Sequence, residues 1–406
     1  MFGTIAGQVV SLLLSLFVTR LYTPEMFASL EHFSMILGIL SVFVGGRYEP
    51  AIMLPKKEKD AKHLLAHIIR ISGFSMFVLM VLSFLFGKQL SNALGNPDLN
   101  KYLWLIGPTS FLFVFTTAVG FWFSRLKKYK PAASSKAVFS LTSEPAKVIY
   151  GYFKSGPDGL VYSVGLGHLA TSIFLYLRLK KLTPSVFKDI KKEGMKAVAK
   201  DYKDYPKYAI PSSLLSRLAQ WLHIALFGML FGSAGLIAVG FLGLCRRIVM
   251  TPLNTFGASF SQVFYQRLTE IDNEKLKAYY VRMLRLFLLI GLAMIAFVWV
   301  LPENTMTIIF GDDWGSVLKY LRVLVFWFSA NFAVGSLSFI LHRLRSQKTI
   351  LILDALHFSL VLVALLGTYF LGGDEFDALI AFVVMKVVYL SINVLVTLRK
   401  LSNPAV

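Results

Sequence analysis

One cysteine, Cys245, is all the thiol chemistry that this 406-residue chain carries. No intramolecular disulfide can form, and no multi-thiolate metal site can be assembled. Charge is scarce too. Asp, Glu, Lys and Arg make up 16% of the residues, where a soluble domain carries roughly 25%. Acids are scarcer than bases, 22 against 42, which leaves a net charge of +20. No glycine-rich nucleotide cradle is present, so an ion gradient or the substrate gradient is the expected energy source. His63 and His67 in "HLLAH" share one helix face. No glutamate follows the first histidine, as a metallopeptidase would need. Neither a metal nor a cofactor is expected.

What fills the chain instead is apolar sequence. Hydrophobic residues reach 56% and mean hydropathy is +0.64. Such an excess along a whole chain predicts a polytopic membrane protein and excludes an ordinary soluble enzyme. A crossing helix needs about 20 mostly apolar residues to span roughly 30 Å of hydrocarbon. Twelve stretches qualify: 2–19, 29–46, 64–86, 102–124, 132–153, 158–179, 208–230, 233–257, 283–301, 317–341, 350–371 and 376–397. The first ends at "TRLYTPE" with no small-residue cleavage pattern, so it reads as a retained span. The fifth is the most polar, with Lys136, Glu144 and Lys147.

With both termini cytoplasmic, 29 Lys and Arg fall in or at the edge of inner loops and six on the outer side. The positive-inside rule predicts such a bias. Most of the +20 is therefore a topology signal with some attraction to anionic lipid heads, and nucleic acid is not an expected partner. Every outer loop is short, which leaves no room for an extramembrane catalytic domain.

The expected organisation is a first lobe over 1–182 with spans one to six, a linker over 183–207, and a second lobe over 208–406. In the linker, Val186, Phe187, Ile190, Val198 and Tyr202 fall near one helical face, with lysines over the rest. That pattern predicts a basic amphipathic helix on the cytoplasmic membrane surface. Six spans per lobe would make any internal repeat a parallel one.

A charge in mid-bilayer normally faces a partner or a watery cavity. Arg47 stands at the inner end of span two. Arg217 lies roughly 13 Å into span seven, and Arg246 and Arg247 roughly 20 Å down span eight, all in the inner half. The planar arginine fork suits phosphate or pyrophosphate. Arg47 also reads as a positive-inside anchor, and Arg246 and Arg247 as residues that snorkel or pair with acids. Consecutive residues point about 100° apart, so at most one of that last pair is expected to face a cavity. Glu144 and Lys147 are three apart and can neutralise each other. A proton- or ion-coupling role for Glu144, the mid-span acid of the first half, is the alternative. Asp354 and Lys386 are expected to be structural, as a direct pair or separately, their depths differing by roughly 10 Å.

Two stretches carry a resemblance. "TRLYTPEMFASL" (19–30) and "RYEPAIMLPKKEKDA" (47–61) resemble the O-antigen and lipopolysaccharide-biosynthesis flippases of the multidrug, oligosaccharidyl-lipid and polysaccharide exporter superfamily. "YPKYAIPSSLLSRLAQWLHIALFGMLFGSAGLIAVGFLGLCRRIVMTPL" (205–253) is similar to that family's seventh and eighth spans. Ala28 replaces a glycine frequent in the family, and the chain opens almost directly in its first span, as if shortened. The resemblance implies an all-helical fold of two six-helix lobes around a central cavity lined by helices 1, 2, 7 and 8. It implies transport of a polyprenyl-pyrophosphate-linked oligosaccharide, such as an O-antigen repeat unit, across the bacterial cytoplasmic (inner) membrane by alternating access. Partners would be that lipid-linked substrate, membrane lipids and polysaccharide-assembly proteins; the oligomeric state stays open. Arg47 would capture the pyrophosphate at the cytoplasmic rim, Glu49 would hold Arg47, and Tyr48 would join the interfacial aromatic belt. The competing expectation is a cation-coupled drug exporter of the same superfamily, which would depend on Glu144 more than on the arginines.

Overall fold

The computed structural model describes residues 2–154, 156–344 and 346–402, with a few side chains inside those ranges undescribed. Among the described residues all regular structure is helical. In hydrocarbon no water satisfies the peptide groups, and a helix closes every backbone hydrogen bond within its own segment.

The first compact unit, Met1–Leu218, contains α1 (Phe2–Leu21), α2 (Pro24–Val44), α3 (Glu58–Ala93), α4 (Ile106–Arg125), α5 (Tyr129–Phe153), α6 (Asp158–Leu182) and α7 (Lys192–Asp201). Helix α8 (Ile210–Cys245) begins there and continues into the second unit, Ala219–Val406. That unit adds α9 (Thr251–Glu270), α10 (Asn273–Val300), α11 (Thr305–Phe310), α12 (Val317–Ser336), α13 (Phe339–Arg343), α14 (Gln347–Phe370) and α15 (Glu375–Ser402). The division falls inside α8, later than the 207/208 boundary expected from the linker.

Nine segments are long and apolar enough to cross a membrane among the described residues. One of them, Tyr205–Gly257, runs 53 residues and covers two expected spans. Gly232 interrupts it with φ +56°, a left-handed value that glycine adopts without a Cβ clash. The chain reverses there. Trp221 and Arg246 would stand about 37 Å apart along one straight helix, yet the guanidinium lies 4.4 Å from the indole centroid. The outward faces confirm the setting. Phe74, Phe84, Phe153 and Leu371 are 71–89% exposed, a load of bare aromatic and aliphatic surface that water would not tolerate and lipid would.

Helix α3 has 36 residues, more than a bilayer needs, so its ends run past the hydrocarbon. Its first turns supply Ala61, Leu64, Leu65 and Ile68 to a core shared with Trp122 and Phe123 of α4 and Leu175 and Leu179 of α6. The connection after α6 folds into this core, and here the structure departs from expectation. Lys192–Asp201 forms a helix, a π-helical turn opens at Tyr205, and Val186 and Val198 are buried at 2% and 5% exposure within the same cluster. Val186 and Val198 of the expected apolar face pack on protein, while Phe187 stays 43% exposed. The linker's lysines remain outside.

Candidate substrate-binding site

The segment "GGRYEP" forms a tight reversal after α2. Gly46 and Arg47 both adopt left-handed backbone, φ +61° and +57°. For a glycine this costs little, whereas for Arg47 it costs about 1–2 kcal/mol. Residues beyond the turn hold it in place. Glu49–Met53 forms a short 3₁₀ turn with Ala51 and Ile52 fully buried. The Arg125 guanidinium, at the end of α4, donates to the carbonyls of Ile52 at 3.1 Å, Met53 at 3.2 Å and Pro55 at 2.5 Å. Three carbonyls that a loop would leave bare are thereby satisfied.

Tyr48 is not a belt residue. Its ring packs edge-on against His67 at 5.3 Å, its hydroxyl donates to the Ala199 carbonyl of α7 at 3.2 Å, and 7% of it is exposed. Burial raises the Tyr48 phenol above its ordinary range. In "AIMLP" the first two residues are core, while Met53 and Leu54 are 44% and 54% exposed. His63 ties the same region to the linker. Its Nδ1 lies 2.8 Å from the Lys59 carbonyl, and its Nε2 accepts the Lys191 N–H at 3.3 Å. That pattern requires the neutral imidazole with the proton on Nδ1. A β-carbon at Gly194 would strike the same ring, at 2.5 Å from Nε2.

Glu49 is 3% exposed, and its carboxylate lies over Gly45, where any β-carbon would overlap it. Burial pushes its carboxyl up, opposed by a backbone hydrogen bond and by the nearby Arg47. The two side chains interact through space without closing an ion pair within 4 Å. Arg217, on the first part of α8, lies within electrostatic reach of Arg47. The first unit thus brings two of the four expected arginines within electrostatic reach of each other, where their like charges oppose.

In the second unit, Arg246 and Arg247 open the π-helical turn Arg246–Met250. Such a turn widens the helix locally and is frequent at functional sites. Arg246 stacks on Trp221, a contact that holds a guanidinium in a partly apolar setting.

Glu144 and Lys147 form an ion pair at 3.0 Å on α5, with the side chains 7% and 6% exposed. Mutual neutralisation is the reading that the geometry realises. Tyr22 of the "TRLY" motif donates to the Lys147 carbonyl at 2.8 Å. Lys386 does not pair with Asp354. Its Nζ lies 2.5 Å from Nε2 of His357, one turn further along α14. Glu31, buried at 7% exposure on α2, is a further buried acid of the first half, beside Glu49 and Glu144, that the reading of the spans passed over.

A family model described as a polysaccharide biosynthesis protein matches residues 17–319, most of the chain. The chain belongs to that family. Its fold is that of the multidrug, oligosaccharidyl-lipid and polysaccharide exporter superfamily. The lipid II flippase MurJ, in an inward closed conformation, matches at a TM-score of 0.75 with 13% identity, over 99% of this chain and 89% of that one. An inward-facing multidrug resistance MATE family transporter matches at 0.70 with 17% identity, over 98% and 95%. A superfamily transporter from Pyrococcus furiosus, described as having a binding pocket of reversed polarity, matches at 0.64 with 14% identity, over 99% and 94%. No curated protein sequence matches. The family and the apolar helices make this chain a multi-pass membrane protein of polysaccharide biosynthesis.

Sequence reasoning missed Arg125, His63, His357 and Trp221. Arg125 looked like one more inner-loop cation, and His63 like half of an abandoned metal motif. Trp221 did carry a signal, since it stands four residues after Arg217 on one helix face.

Proposed function

We propose that the protein is a flippase that carries a polyprenyl-pyrophosphate-linked oligosaccharide, such as an O-antigen repeat unit, across the bacterial inner membrane by alternating access. In this reading the chain crosses the membrane twelve times with both termini cytoplasmic. Arg47, Arg217, Arg246 and Arg247 bind the pyrophosphate. The observation that carries it is the approach of Arg47 to Arg217. Two cations at the end of α2 and on α8 are brought within range of each other, and one of them is held in a left-handed turn that costs free energy. A pyrophosphate relieves the repulsion and accepts bidentate hydrogen bonds from both forks. The family match to polysaccharide biosynthesis supports a saccharide cargo, and the likeness to a lipid II flippase supports a lipid-linked one.

The rival reading, a cation-coupled exporter, draws on the likeness to MATE transporters. It needs an available buried acid, and Glu144 is engaged with Lys147.

The test is leaflet-resolved. The purified protein is reconstituted in liposomes with a labelled polyprenyl-pyrophosphate oligosaccharide, and exposure of the sugar to an external modifying reagent is followed. Protein-dependent movement that falls at least tenfold in Arg47→Ala and Arg217→Ala, with normal insertion, is the expected result. Equal movement in the variants would remove the arginines from the mechanism. No movement of any lipid-linked cargo, beside gradient-driven uptake of a soluble cation, would favour the exporter.

A further inference from the structure

A second buried cation stands apart from the arginines. Lys386, on α15, is 3% exposed. Among the described residues no carboxylate lies within ion-pairing distance of it. Its Nζ meets Nε2 of His357 at 2.5 Å, and aromatic faces enclose it: Trp327 of α12 at 5.0 Å and Phe382 of its own helix at 5.2 Å. The surrounding groups leave little room to move. Tyr389 stacks on the His357 ring at 4.4 Å and 12°. His223 of α8, 2% exposed, stacks on Phe382 at 4.7 Å and meets Trp327 edge-on at 5.9 Å.

The titratable and charged groups facing the pair come from every neighbouring helix. Helix α8 supplies His223, with Arg246 acting through space. Helix α14 supplies Asp354, half-buried, one turn before His357 and within electrostatic reach of Tyr389. Helix α12 contributes an aromatic wall. The α10 phenol, Tyr280, hydrogen-bonds with Thr397 of α15, three turns beyond Lys386.

We propose that Lys386 and His357 form a proton-binding site in the interior of the second unit, and that this proton is the ion to which transport is coupled. The chemistry follows from the contact. An ammonium donating to a neutral imidazole and an imidazolium donating to an amine differ only in which nitrogen holds the shared proton. Either way the pair carries one positive charge. Release of that proton to water leaves two neutral groups and no stranded carboxylate, so the interior tolerates both the full and the empty state. A second proton would place two like charges within hydrogen-bonding distance, which burial forbids. Occupancy also reaches the helices. The charged form is attracted to the faces of Trp327 and Phe382, and the neutral form releases them. Proton binding thereby alters how α12, α14 and α15 hold together.

The coupling part rests on the transport reading above; the site itself does not. The test therefore has two arms. In the first, the full chain is labelled with ¹⁵N-histidine and placed in nanodiscs, and its side-chain nitrogens are followed from about pH 5 to 9, the range that imidazole titration covers. His357→Gln assigns one of the seven histidine signals. The expected result is a His357 signal that reports hydrogen bonding to Lys386, changes with pH, and shows a larger protonated fraction at a given acidic pH in Lys386→Met. A His357 signal that stays neutral throughout, in wild type and Lys386→Met alike, overturns the site. Lys386→Arg provides a folded control that keeps a fixed charge and removes the exchangeable one.

In the second arm, movement of the labelled polyprenyl-pyrophosphate oligosaccharide is measured with and without an imposed pH gradient. The wild type is expected to move it several-fold faster with the gradient, and Lys386→Arg and His357→Gln to bring that ratio to about one. A ratio unchanged in both variants overturns the coupling. No movement of the cargo by wild type under any gradient overturns the flippase reading instead, and the nanodisc result still decides the proton site.

Discussion

Lys147 in the first unit and Lys386 in the second are buried almost equally, 4% and 3% exposed. Their partners differ. Lys147 closes on a carboxylate three residues back on its own helix, and the pair is neutral. Lys386 closes on an imidazole 29 residues away on another helix, inside aromatic walls, and that pair holds a charge that it can give up. An ion pair within one helix stays satisfied however the helix moves. A contact between two helices depends on their packing, so it can report that packing or change it.

The comparison breaks most visibly at Glu144. Glu144→Gln leaves the Lys147 ammonium buried without its carboxylate, and stability should fall by about 3–5 kcal/mol. The double variant Glu144→Gln/Lys147→Met should recover most of the loss, because an apolar replacement of a buried pair is often close to neutral. Denaturant titration in mixed micelles reads both. A loss below about 1 kcal/mol in the single variant, the size of an exposed pair, would mean that water reaches the pair.

The second unit should respond more mildly, and in a different pattern. His357→Leu removes the acceptor from Lys386, and the unmatched donor should cost about 1–3 kcal/mol. Lys386→Met orphans no opposite charge and should stay within about 1 kcal/mol of wild type. If Lys386→Met were instead as damaging as Glu144→Gln, an undetected anion would have to be neutralising the ammonium. The two lysines would then be alike after all.

This contrast also marks how far the chain could be read from its residues. Helical spans are local, so the break at Gly232 falls between two of the expected spans, and nine segments among the described residues are long and apolar enough to cross a membrane. Glu144 and Lys147 are three apart on one helix, and their pairing was legible for the same reason. Lys386 with His357 was not, because nothing in the spacing of α14 and α15 selects His357 over Asp354 before the helices are packed. Tyr48 misled for a related reason. An aromatic beside charges at a span end ordinarily marks the interface, and only the fold of residues 183–201 over α3 buries it. The arginines lie between these cases. Their position within expected spans was readable, but the electrostatic reach between Arg47 and Arg217 was not, since it depends on how residues 210–218 pack within the first unit.

Arg47 adds a third way of holding a cation, and the smallest expected change in stability. Among the described residues no carboxylate lies within ion-pairing distance of it and no aromatic ring stacks on it; a left-handed backbone turn presents it. Arg47→Gly removes the side chain and relieves the turn, because glycine adopts φ near +57° without a Cβ clash. Stability should rise by about 1 kcal/mol, the lower end of what a left-handed residue costs. Cargo movement should fall at least as far as in Arg47→Ala. A structural anchor would give the opposite pairing, with movement retained and stability lost. For Lys147, folding and function should decline together when the charge is stranded. For Arg47 they should separate, and that separation distinguishes a cation kept for binding from one kept for the fold.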